Sequence, residues 1–267
     1  MREAAYINVA DKAMPFFENC RSEQRIGFLR IALAVLILLS AASELSADVR
    51  TEIRQATKDF RDITLTCKVL YANHAELRKI GKDFPKSYEF KTTTVRYKAP
   101  DKMKMEGKLG LVQVIVVING DKKAVKVPSL HITKKENISK APHKRQGDLD
   151  IGILTEQLWF DYIVTGVSIE QSSEGEVCKL SFVRSNARNK KMVLWADTKT
   201  WKLLKLEKYE DDGRLKSRCI YSNHKRVGCI WVPCHVDVYN GDGKLAASTM
   251  YTDIRVNSGI PDSEFNI

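Results

Sequence analysis

No apolar run in this chain of 267 residues is long enough to cross a bilayer comfortably. The longest, Ile31–Ala42 (IALAVLILLSAA), is about a dozen residues where a spanning helix needs roughly twenty. A channel built of spanning helices is therefore not expected. The sequence also lacks the paired C-x-x-C knuckles of structural zinc sites, a G-x-S-x-G elbow, a phosphate loop, a dinucleotide fingerprint and an H-E-x-x-H helix. Catalysis, a cofactor and a bound metal are therefore not expected. There is no helix-turn-helix and no aromatic-basic ribonucleoprotein pattern, so the net charge of +11 does not point to nucleic acid. Internal repeats and low-complexity blocks are absent as well.

What is present begins with the apolar run itself. It follows Arg25 and Arg30 and is succeeded by small residues ending at Ser46-Ala47, the layout of a secretory signal. The expected division is 1–47 as signal peptide or, if uncleaved, amino-terminal membrane anchor, and 48–267 as one exported domain. Residues 1–47 hold five basic and five acidic side chains, so the excess positive charge belongs to the exported part. No cysteine follows the apolar run at once, which argues against the chain being a lipoprotein itself.

The stretch from Met192 to Asn257 alternates apolar and polar residues between turn signals at Asp197-Thr198, Asp212-Gly213, Lys225–Gly228 and Asn240–Gly243, the pattern of a five-strand antiparallel meander. Opposed residues in such a pair share a face. If the turns lie where their chemistry puts them, Leu204 and Leu206 oppose Tyr221 and Cys219, these oppose Val232 and Cys234, and Val236 and Val238 meet Ala247 and Leu245. One face is then dry, continued by Val193 and Trp195. The other carries Lys205, Glu207, Lys216, Arg218, His235, Asp237, Lys244 and Ser248.

A sheet dry on one side must be covered. Val49, Ile53, Ala56 and Phe60 recur at helical spacing over Asp48–Asp62, and Ile151, Leu154, Leu158 and Tyr162 over Leu149–Ile163, so two lid helices are expected. Ile63–Tyr71, Ser87–Lys98 (with a bulge near Thr92–Thr94), Met103–Gly107 and Val112–Ile118 read as strands. Asn119-Gly120-Asp121 marks a hairpin, Lys134–Gly147 a loop, and Val164–Glu170 with Glu176–Arg184 a further hairpin. The fold class expected is α+β: an open antiparallel β half-barrel of about ten or eleven strands with helices covering its concave face.

Five cysteines follow Ala47: Cys67, Cys178, Cys219, Cys229 and Cys234. The register above sets Cys219 opposite Cys234, so a disulfide, if one forms, joins these two. Cys219, His224, Cys229, Cys234 and His235 do not have zinc-knuckle spacing, and Cys234 and His235 point to opposite faces of one strand.

Several elements have familiar order and spacing. They are W-x-D-x-x-T at Trp195–Thr200, Y-x-x-x-G at Tyr209–Gly213, Val232-Pro233, and N-x-G-I-P-D-x-x-F at Asn257–Phe265. They resemble the outer-membrane lipoprotein-sorting family, the LolA-like periplasmic carriers. Upstream, Tyr97–Lys102 and Asn119-Gly120 resemble that family more loosely. The resemblance implies a carrier that shelters lipoprotein acyl chains or other lipid in an apolar hollow, in lipoprotein sorting to the outer membrane. The alternative is an envelope sensory domain of the same fold with a lipoprotein or membrane-protein partner. A monomer is expected, and the expected lining is Val193, Trp195, Leu204, Leu206, Tyr221, Val232, Val236 and Val238. In the family a basic residue immediately precedes the proline; here that residue is Ala99, with Lys98 one place earlier.

Overall fold

The computed structural model describes residues 45–141, 144–173, 175–184 and 187–267. The apolar run Ile31–Ala42, and with it the export signal, lies outside them. Asp48–Ile267 is a compact unit of its own. Among the described residues no helix is long and apolar enough to cross a membrane.

In chain order the strands are β1 (Asp62–Ala72), β2 (Thr92–Lys98), β3 (Lys102–Leu109), β4 (Val112–Asn119), β5 (Lys122–Val127), β6 (Ile132–Asn137), β7 (Tyr162–Ser172) and β8 (Gly175–Arg184). They continue with β9 (Ala187–Asp197), β10 (Leu203–Tyr209), β11 (Leu215–Ser222), the short pair β12 (Lys225–Val227) and β13 (Ile230–Val232), β14 (His235–Asn240) and β15 (Leu245–Val256). Thirteen of them form one unclosed antiparallel sheet in the order β6-β5-β4-β3-β2-β1-β15-β14-β11-β10-β9-β8-β7. Two meanders are thus joined by the pairing of the first strand with the last, Cys67 opposite Tyr251 and Val69 opposite Thr249. The architecture is the open half-barrel expected, with more strands than the alternation revealed.

The extra strands escape hydrophobic patterning for identifiable reasons. β6 (ITKKEN) is exposed along its whole length, so nothing in it alternates; part of what reads as a polar loop from Lys134 is this edge strand, its lysines guarding an open edge. At the other meander, Pro233 interrupts what reads as one strand from Ile230 to Val238. Proline cannot donate to the ladder. β13 therefore folds back on β12, with Val232 opposite Lys225, and β14 begins afresh at His235.

The covers are all short. α1 spans 45–57; α2 is His74–Ile80, capped by Asn73, whose side chain accepts from the Ala75 and Glu76 amides. A 3₁₀ turn follows at Phe84–Tyr88, so the strand expected from Ser87 starts only at Thr92, and β2 pairs with both neighbours without a bulge. The long helix expected over Leu149–Ile163 is instead a 3₁₀ turn at Asp148–Ile151, an extended link and the single turn α3 (Leu158–Asp161). Gly152 breaks it. Its φ of +80° leaves the helical region, and a Cβ there would come within 2.9 Å of the Tyr221 ring.

Candidate functional site

The face that the covers protect is assembled from alternate residues of neighbouring strands. Cys219 opposes both Leu206 and Val238, Tyr221 opposes Val236, Leu206 opposes Leu194, and Leu194 opposes Leu180. On the amino-terminal side the same face carries Leu65, Val95 and Met105, then Ile63, Tyr97, Met103 and Ile118. Over it lie buried apolar side chains of every cover: Val49 and Ile53 of α1, Leu77 and Ile80 of α2, and Ile151, Ile153, Leu154 and Leu158 of the later segment. Phe60, at the end of the α1 segment, stacks on Tyr97 with centroids 6.1 Å apart.

Of the eight expected lining residues, Leu206, Tyr221, Val236 and Val238 lie on this face, all buried, and Leu204 is half-buried at the register shift, where Leu203 takes the place opposite Ala196. The other three lie elsewhere. Trp195 opposes Lys205 and Val193 opposes Glu207, so both lie on the outer face. The cause is the β9–β10 connection. It is a loop rather than a tight turn, with Trp201 in the left-handed region at φ +55° and a register shift between Leu203 and Lys205, and a one-residue slip exchanges the faces. Trp195 is instead set among cations, with Lys205 Nζ 3.5 Å and Lys179 Nζ 5.6 Å from its ring centroid and its indole N–H donating to Glu170. Val232 is buried in the separate β12–β13 hairpin.

The same re-registration separates the cysteines. Cys219 faces Val238 rather than Cys234, and Cys234 sits in the link between β13 and β14, its amide donating to Ser222 O. The expected disulfide is corrected: both are free thiols, as are Cys67, Cys178 and Cys229. Burial pushes Cys67 up to about 11 and Cys178 up to about 12, which keeps both protonated and poorly nucleophilic. All five should alkylate in denatured, non-reduced protein; a mass lacking two adducts would show a bridge. On the outer face His235 Nε2 is 3.1 Å from both Asp237 Oδ1 and Ser248 Oγ. One nitrogen serves both, so this is not the relay in which the two ring nitrogens play separate roles. Among the described residues no three metal-ligating side chains converge.

A cleft of ≈ 490 Å³ opens at the seam between α1 and the 155–160 segment. Phe60, Tyr97, Ala99, Pro100 and Phe160 supply its apolar walls, and Arg54, Lys58 and Arg145 its cations, against Asp101 and Glu156. The seam is lightly fastened: Arg50 Nε is 4.0 Å from Glu156 and its guanidinium lies 5.2 Å from the Phe160 centroid. A partly exposed pair of this kind is worth about 1 kcal/mol or less. Ala99 therefore lines the seam, whereas Lys98 lies on the outer face, paired with Asp262 at 2.7 Å.

Beneath the later cover lies Asp148, the first residue of its 3₁₀ turn. It is buried, accepting from the Thr155 hydroxyl and from the Leu149 amide at 2.9 Å. Burial lifts its carboxyl to about 7 against these two bonds, with Asp161 and Asp150 adding to the rise. No simple pattern distinguishes it from a surface aspartate, because its burial comes from residues far away in sequence.

The motifs of the carboxy-terminal stretch prove to be fasteners of the fold. Asp197 accepts from the Thr200 amide at 2.8 Å and hydroxyl at 2.6 Å, shaping the β9–β10 loop, and Gly213, at φ +83°, makes the β10–β11 turn. Asn257 accepts from the Arg61 amide and donates to Asp59 O, while both oxygens of Asp62 receive the amides of Ser258, Gly259 and Ile260. The tail so held packs Ile260 and Phe265 against Val117 on the outer face.

An open sheet of two meanders closed by its first and last strands, dry on the side covered by short segments, also occurs in solved structures. A domain assigned to outer membrane lipoprotein sorting from Vibrio parahaemolyticus superposes with a TM-score of 0.57 at 15% identity, over 85% of this chain and 97% of that one. A LolA superfamily protein from Nitrosomonas europaea gives 0.54 at 15% identity, over 83% and 97%. This chain shares its fold with both. A DUF1329 family protein from Desulfovibrio piger has it too, at 0.52 and 13% identity over 84% of this chain and 96% of that one. No family model and no protein of curated function matches the sequence. In this chain the motifs of the carboxy-terminal stretch close turns and latch the tail, and a shared fold does not by itself fix what a protein does.

Proposed function

We propose that this chain is a periplasmic lipid- or lipoprotein-binding carrier that holds acyl chains between the covered face of its sheet and the segments above it. The observation that carries the reading is the aromatic-walled cleft at the seam between two covers, with Tyr97 of the dry face in its wall. An acyl tail of roughly fifteen carbons costs on the order of 12 kcal/mol to hold in water, at about 0.8 kcal/mol per methylene, so a carrier must offer it a protected apolar surface. The covers are separate short pieces joined by loops, and each can lift without breaking the sheet's ladder. The tail would enter past Phe160 and Phe60 and displace the covers from Leu206, Tyr221, Val236 and Val238. Binding rather than catalysis is supported by the Cys67 and Cys178 thiols, which burial keeps protonated, and by a Ser-His-Asp cluster without relay geometry.

The sensory alternative has no observation of its own among the described residues. Organic extracts of freshly purified native protein, examined by mass spectrometry, should contain stoichiometric acyl lipid; a clean extract counts against the carrier. Ala99→Trp, which fills the seam without touching the sheet's interior, should lower uptake of a fluorescent fatty acid about tenfold, a loss of about 1.4 kcal/mol. Unchanged uptake would show that the seam is not the entrance.

A further inference from the structure

Of the ten large apolar side chains that stand exposed among the described residues, six lie along a single rim: Leu70, Tyr71, Leu109, Leu111, Leu130 and Ile132. The register places them together. β1 to β6 are consecutive neighbours in the sheet, and Lys68 opposes Thr92, Thr93 opposes Gly107, Leu109 opposes Val112 and Val127 opposes Ile132. The end of β1, the β3–β4 tip and the β5–β6 tip therefore share one end of the sheet, the two tips about two strand spacings, roughly 10 Å, apart. Each tip turns through a left-handed residue, Gly110 at φ +62° and His131 at φ +53°. Leu111 is 99% exposed and Leu130 59%.

Exposed lysines outnumber acids at this rim, where Glu89 and Glu106 are the carboxylates beside Lys91 and Lys108. Lys68, Lys91, Lys108, Lys134 and Lys135 are exposed there, and between Gly107 and Lys135 the only acidic residue is Asp121, at the opposite, β4–β5 end. Lysines on β6 also discourage edge pairing. That explanation does not reach Leu111, on a hairpin between interior strands of the sheet. Exposed leucines at adjacent tips, ringed by lysines, match the boundary of an anionic bilayer, where apolar side chains enter the acyl region and ammonium groups meet phosphates.

We propose that the β3–β4 and β5–β6 hairpin tips dock this protein on an anionic membrane surface, with Leu111 and Leu130 inserted and the flanking lysines on lipid phosphates. The inference does not depend on an acyl cargo, since the rim is distinct from the seam. It is tested on the full chain with vesicles containing roughly 30% phosphatidylglycerol and bromine-labelled acyl chains. Leu111→Trp, read as the difference from the four native tryptophans, should shift to the blue and lose most of its added emission; Asp121→Trp, at the far end of the same strands, should not. Lys134→Glu with Lys135→Glu should lower vesicle affinity by about tenfold or more, given about 1 kcal/mol per lysine. Because any amino-terminal anchoring is common to every variant, the contrast between positions 111 and 121 is decisive. Quenching at neither position, or equal quenching at both, overturns the proposal. So does a blue shift at position 111 that needs no vesicles and is reversed by dilution, which would make a second copy of the chain the occupant.

Discussion

Asp148→Asn is expected to stabilise the protein at pH 8 and to leave it unchanged at pH 4. The carboxyl titrates near 7 in the folded state, raised by burial above its ordinary value near 4. An acid whose folded pKa is raised binds its proton more tightly folded than unfolded, so stability falls as pH climbs from the unfolded toward the folded value. The penalty is absent below about pH 4, grows through the interval, and above about pH 7 reaches roughly 4 kcal/mol, three pH units at about 1.4 each. Asparagine keeps an acceptor for the Leu149 amide, can donate its NH2 to a Thr155 hydroxyl turned to accept, and carries no charge at any pH. Thermal melts of the pair should therefore coincide at pH 4 and separate by roughly 10 °C at pH 8, at about 2–4 °C per kcal/mol for a domain of this size. Identical melts at both values would mean that the carboxyl is not desolvated. The residue sits in the cover that meets Tyr221 through Gly152, so the same titration should loosen that cover as pH rises. Fatty-acid uptake by the parent should then be faster at pH 8 than at pH 5.5, and this difference should vanish in the variant.

Asp62→Ala is expected to cost about 3 kcal/mol, because it strips the amides of Ser258, Gly259 and Ile260 of their acceptor in a buried setting. Losing the latch also frees a tail whose Ile260 and Phe265 cover Val117, and whose Asp262 and Glu264 receive Lys98, Lys102 and Lys104 at 2.7, 3.1 and 2.9 Å. The melting temperature should fall by roughly 10 °C. Amide exchange should rise first in 258–267 and β4 rather than in β9–β11. Asp62→Asn retains one accepting oxygen and should lose about half as much. A variant as stable as the parent, with a protected tail, would show that Asn257 and the lysine pairs suffice.

Both aspartates are legible only once the chain is folded, and the reason is general. Alternation and turn chemistry are local, so β7–β8, β9–β11 and the β4–β5 hairpin at Asn119-Gly120 could be read directly. The signals for α2, with Asn73 as cap and Leu77 and Ile80 one turn apart, are equally local, but seven residues are too few for a helical period to stand out. Register survives only as long as loop length is known. It held across Asp212-Gly213, where Leu206 opposes Cys219, and failed across the β9–β10 loop and at Pro233, which moved Val193 and Trp195 to the outer face, set Val232 apart and parted Cys219 from Cys234.

The sequence by itself determined that this chain builds antiparallel meanders with one dry side and amphipathic covers, because side-chain period and turn residues act over a few positions. Only the tertiary structure decided that the first strand pairs with the last, that Asp148 loses its water, that Asp62 catches the tail, and that Leu111 and Leu130 share one rim. Each of these joins residues tens to hundreds of positions apart. Their energies depend on which surfaces meet, and no local pattern encodes that meeting.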